Sequence, residues 1–150
     1  MKNKKILILI GGHLSTAPRV QKEAFALRSA GAEVFVKGVW SSKKLAEEDL
    51  LIANRIGIHF SAVIDFKNGK NILIRLKQKA SRVLFSSFGV VTSRLFGSCA
   101  PELLGAARKA GADLVMVHSE AGLWAGRKLL MEGSRIGVDF EDWFSQDLPE

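Results

Sequence analysis

The chain has 150 residues, 47% of them hydrophobic, and a formal net charge of +7. A chain of that size buries roughly 70% of the surface its unfolded form exposes, which suffices for one domain without staples. The lone Cys99 excludes an intramolecular disulfide and fits a reducing compartment, and no segment approaches the roughly 20 apolar residues of a membrane span.

Lys2, Lys4 and Lys5 precede a short aliphatic run, Ile6 to Ile10. They imitate a signal peptide, but the run is too short and no small-residue cleavage site follows, so the expected location is the cytosol. The unbroken run is the pattern of a strand buried on both faces, and Gly11-Gly12 ends it. Pro18, with Ser15 and Thr16 just before it, marks a helix N-terminus. Val20, Ala24, Leu27 and Ala30 recur at helical spacing, Gly31 closes that helix, and Glu33 to Val39 reads as a second strand.

Lys43 to Asn54 is expected to be helical, and Gly57 to Ile64 to be a third strand, with Ile58, Phe60 and Ala62 alternating with His59 and Ser61. Asn68-Gly69 is a turn signal. Between Asn71 and Phe96 apolar residues advance by three or four, which predicts one long helix, or two bent near Gly89. Pro101 to Ala110 is a further helix capped by Gly111, Asp113 to His118 a fourth strand, Glu120 to Met131 a helix and Ile136 to Phe140 a fifth strand. Strands alternating with helices predict an α/β, Rossmann-like, doubly wound parallel sheet. Its ligands would gather outside the C-terminal strand ends, where Gly11 to Ala17, His118 to Gly122 and Asp139 to Trp143 fall.

The stretch Leu14-Ser15-Thr16-Ala17-Pro18-Arg19-Val20-Gln21-Lys22-Glu23-Ala24, followed by Leu27, Gly31 and Glu33-Val34, closely resembles the start of family 4 glycosyltransferases, which have the GT-B fold. The family pattern usually has Asp where Ala17 stands, so helix capping would pass to Thr16 or Ser15. A second block, Val138-Asp139-Phe140-Glu141-Asp142-Trp143-Phe144-Ser145, resembles a strand-end motif of the family, with Glu141 in the usual His place. The resemblance implies the N-terminal, acceptor-side half of a GT-B architecture. It also implies a retaining, metal-independent transfer of a sugar from a nucleotide diphosphate donor to a cell-surface polysaccharide or glycolipid. The donor is a substrate, and no cofactor is implied. Family members carry most of the donor site on a C-terminal domain with a Glu, seven residues, Glu motif. The chain ends at Leu148-Pro149-Glu150 without one, so alone it is expected to be inactive, with the missing half as a further stretch of chain or a partner subunit. The alternative is a non-catalytic binding or regulatory module of the same fold working with a partner subunit.

His118 ends the fourth strand, and the resemblance gives it contact with the donor sugar or a catalytic role; the plainer reading is an imidazole hydrogen-bonded within the fold. Gly11 and Gly12 let a ligand approach the backbone, and the helix N-terminus beside them favours phosphate. Arg19 could pair with that phosphate or with Glu23 or Glu141. Glu141 could serve as a base, and Asp139 and Asp142, with His13 in the first loop, could meet substrate hydroxyls. Solvated loop carboxylates are the equal alternative. The three His residues lack metal-ligand spacing.

Between Asp65 and Glu102 lie Lys67, Lys70, Arg75, Lys77, Lys79, Arg82 and Arg94 and no acid, so the whole net charge sits there; from Asp139 the sign reverses. Residues 67–97 thus combine an apolar stripe with a basic one, as in a helix on anionic lipid at the inner face of the cell membrane, from which a lipid-linked acceptor could be reached. An amphipathic helix covering the sheet shows the same stripe. The segment lacks the interleaved aromatics of a nucleic-acid site.

Overall fold

A computed structural model of the protein describes residues 2–67 and 71–140. The elements run β1 (Lys5–Leu9), α1 (Pro18–Ser29), β2 (Glu33–Trp40), α2 (Lys43–Ile56), β3 (His59–Asp65), α3 (Ile72–Phe88), a single 3-10 turn (Ser93–Leu95), α4 (Ala100–Ala110), β4 (Leu114–Val117), α5 (Ser119–Met131) and β5 (Ile136–Val138). All strand pairs are parallel and the sheet order is β3-β2-β1-β4-β5.

β1 is central, and successive side chains point to opposite faces. Ile6 and Ile8 pack with Val20 and Ala24 of α1 and Ala53 of α2; Leu7 and Leu9 pack with Leu103 and Ala107 of α4 and Ala125 and Leu129 of α5. Each of these four strand residues is fully buried, a gain of roughly 1.5–3 kcal/mol apiece. Helices on both faces make the sheet doubly wound, a Rossmann-like α/β fold. The chain turns one way from β1 and the other from β4, and their paired ends, Leu9 beside Val117, form the switch point.

The element boundaries differ from the sequence reading by a residue or two. The segment after Asn71 is one helix stopped at Gly89, whose φ of 66° is left-handed, followed by the short turn. Asn68-Gly69 lies outside the described residues. The cap expected of Ser15 or Thr16 is not made: the N-cap of α1 is Ala17, whose side chain has no acceptor. The Thr16 hydroxyl instead donates to the His13 carbonyl (3.2 Å).

Candidate functional site

A buried network fixes the loop after β1. Asp49 of α2 is fully buried. It accepts the Ser15 N–H at Oδ1 (2.7 Å) and the Trp40 indole N–H at Oδ2 (3.1 Å). His13 Nδ1 lies 2.7 Å from the same Oδ2. The Ser41 backbone N–H is 2.9 Å from His13 Nε2, so Nε2 accepts, Nδ1 carries the proton, and His13 donates to Asp49. Both ring nitrogens of His13 are therefore engaged within the protein, and the ring borders the crevice as part of its wall. The Gly12 carbonyl accepts the Val39 N–H (2.9 Å) and packs against Gly38, where a Cβ would come within 2.5 Å of it.

The end of β4 closes on this loop. The His118 N–H donates to Leu9 O (2.9 Å), and the residue is 1% exposed. Nε2 lies 2.7 Å from Glu23 Oε2 and Nδ1 lies 3.3 Å from Asp139 Oδ2, so a carboxylate flanks the ring on each side. Arg19, four residues before Glu23 on α1 and hence on the same face, stands 4.0 Å from Asp139 Oδ1. Arg19, Asp139, His118 and Glu23 thus form a row of alternating basic and acidic side chains. Next to them Ser119 opens α5 at φ 64°, a conformation uncommon outside glycine. Its hydroxyl is buried with no hydrogen-bond partner among the described residues. Gly11 fits against it, for a Cβ on Gly11 would stand 2.8 Å from Ser119 Oγ.

These groups line one open crevice of about 950 Å³ at the switch point. Gly11, Gly12, the start of α1 at Ala17 to Arg19, His118, Ser119, Asp139 and Phe140 all border it. The first-turn N–H groups of α1 have no side-chain cap and sit at its edge, a setting that favours an anion beside Arg19. Cys99 also borders the crevice, but burial pushes its thiol up to about 11, so it stays protonated and non-nucleophilic near neutrality. No group of His, Cys, Asp and Glu among the described residues is arranged to hold a metal ion.

Six of the eight residues expected from the sequence, Gly11, Gly12, His13, Arg19, His118 and Asp139, border this crevice together. Glu141 and Asp142 lie outside the described residues. Of the partners the sequence left open to Arg19, the Glu23 carboxylate bonds to the buried imidazole of His118, and Arg19 faces Asp139. Asp49 and Ser119 were not singled out from sequence, and Glu23 was named only as a partner for Arg19. Glu23 carried a signal, its four-residue spacing from Arg19; Asp49 carried none, lying in an acidic run Glu47-Glu48-Asp49 that reads as a solvated face. His59 is exposed and stacks on Phe35, ring centroids 4.9 Å apart, away from the crevice.

No family model matches the sequence, and no curated protein matches it. Solved structures do. A glycosyltransferase of Streptomyces sp. SF2575, SsfS6, superposes with a TM-score of 0.53 at 16% identity over 91% of this chain. Its complex with thymidine diphosphate gives a TM-score of 0.55 at 18% identity over the same share. The chain shares the Rossmann-like α/β fold found in these glycosyltransferase structures. The chain spans 39% and 38% of the length of those two structures, well short of the whole enzyme. A universal stress family protein from Burkholderia pseudomallei covers 91% of this chain and 95% of its own length, at 14% identity and a TM-score of 0.46, too loose to carry an argument.

Proposed function

We propose that the chain is the N-terminal, acceptor-side domain of a retaining family 4 glycosyltransferase that moves a sugar from a nucleotide diphosphate donor to a cell-surface polysaccharide or glycolipid. The supporting observation is the placement of His118. The residue to which the resemblance gives a sugar-contacting role sits at the switch point, between Glu23 and Asp139, with Gly11, Gly12 and Arg19 around the same crevice. The family assignment itself rests on the Leu14 to Ala24 block.

In this reading the crevice receives the acceptor, and its upper edge meets the donor held by a second domain. Glu23 holds Nε2 of His118 and Asp139 faces Nδ1, so in this reading the ring orients the Asp139 carboxylate, and it is Asp139 that meets the sugar hydroxyl. Asp139 accepts hydroxyl hydrogens, and Arg19 with the open N–H groups of α1 takes the phosphate side. The chain alone holds too little of the donor to position it, so on its own it transfers no sugar.

The test is an NMR titration of the chain with phosphorylated sugars, alongside calorimetry with nucleotide sugars. The reading expects amide shifts at Gly11, Gly12, Arg19 and His118 on adding phosphorylated sugars, and weak or undetectable binding of nucleotide sugars. Shifts confined elsewhere, or tight nucleotide-sugar binding by this chain, would overturn the acceptor-side assignment.

A further inference from the structure

The helix α3 is packed the wrong way round for a core helix. At 3.6 residues per turn, Ile74, Gln78 and Ser81 share one face. That is the inward face: Ile74 packs against the core, Ser81 is buried and Gln78 borders the crevice. The opposite side carries Ile72, Leu76 and Val83, with Leu73 beside them, all exposed, Leu73 at 69%; in the last turn Phe85 at 50% and Phe88 at 74% are exposed as well. An amphipathic helix that merely covered a sheet would bury this stripe. Here the apolar surface is turned to the outside, a contiguous patch of the kind that marks a docking surface.

The charges around the patch say what covers it. Arg75, Lys79 and Arg82 flank it on one side and Lys77 on the other, all exposed, and among the described residues no carboxylate pairs with them. Arg75 also lies over the Phe66 ring, 5.1 Å from its centroid, while the remaining described cations of the segment meet acids: Lys67, over the Trp40 ring, lies near Asp65, and Arg94 is bound to Glu102. A second copy would set four cations against four, with no acid on either α3. A surface that is apolar beneath and negative at its rim accepts both features.

We propose that α3 lies on an anionic lipid surface, with its outward apolar residues among the acyl chains and its four basic residues among the headgroups. Gln78 of α3 and Phe96 after the 3-10 turn border the crevice, so a lipid-anchored acceptor would reach His118 from the surface on which the helix rests. That purpose rests on the acceptor-side reading; the lipid contact does not, and the two are measured separately.

The experiment is co-sedimentation of the chain with phosphatidylcholine vesicles, with and without phosphatidylglycerol, at low and high salt. Binding is expected only with the anionic lipid and is expected to weaken as salt screens the charges. Exchanging Arg75, Lys79 and Arg82 for Glu should lower partitioning by at least roughly 100-fold, since each basic residue near such a surface contributes about fivefold. A second variant, Leu73→Ser with Leu76→Ser, alters exposed residues only and should also lose binding while circular dichroism is unchanged. Equal binding to neutral vesicles, equal recovery of wild type and the charge variant, or no vesicle binding at all would overturn the proposal. So would a dimer in sedimentation velocity that the Leu73/Leu76 variant abolishes, because a second copy would then be the occupant. Crevice shifts with phosphorylated sugars but no vesicle binding would sink this inference alone.

Discussion

Replacing Asp49 with Asn tests whether the loop bordering the crevice is held by a buried carboxylate. Asp49 is fully buried and receives three donors, Ser15 N–H at one oxygen and His13 Nδ1–H and Trp40 Nε1–H at the other. An amide has one oxygen, so whichever way the substituted side chain turns, its NH2 confronts at least one of those donors. Stranding one buried donor costs roughly 1–3 kcal/mol, and the surviving bonds lose their charge assistance, so the sum is about 3 kcal/mol. In a domain of this size that lowers Tm by roughly 6–12 °C. Urea unfolding followed by circular dichroism measures it, with Glu47→Gln, on an exposed neighbour, as a control expected within ~0.5 kcal/mol of wild type. Because the network ends on Ser15 and His13, the variant should also broaden amide signals from Gly11 to Thr16. A loss below about 1 kcal/mol would refute the three-donor account.

Gly38→Ala should cost about 2–4 kcal/mol, because its Cβ would come 2.5 Å from the Gly12 carbonyl and strain the Val39 to Gly12 bond; unfolding at wild-type urea concentrations would show that the loop yields freely. Cys99 should resist thiol reagents in the native state at pH 8 and react on unfolding. Its folded pKa, raised by burial to about 11 against an ordinary value of 9.0, means the unfolded thiol loses its proton first. Stability therefore falls between pH 9 and 11 by at most ~2–3 kcal/mol from this group, and a Cys99→Ala variant should lack that component of the alkaline decline.

The alternating architecture was legible in the sequence because it depends on local patterns. A strand buried on both faces must be apolar throughout, as Ile6 to Ile10 is, and a helix must start and stop at residues suited to its ends, as at Pro18, Gly31 and Gly111. The same patterns placed Gly11, Gly12 and His118 at C-terminal strand ends, and parallel pairing of β1 with β4 then brings those ends together. Pairings between residues far apart in the chain were not legible. Nothing in the local sequence distinguishes Asp49, inside an acidic run, from a solvated carboxylate until α2 packs it beneath Ser15 and Trp40. Glu23 could as well have met Arg19, and only the register that lays β4 beside β1 carries His118, 95 residues away in sequence, to its carboxylate. The orientation of α3 was decided in the same way. Its apolar and basic stripes follow from helical periodicity, but which stripe faces the sheet depends on what Ile74 and Ser81 find to pack against, a property of the assembled tertiary structure and not of the stripe itself.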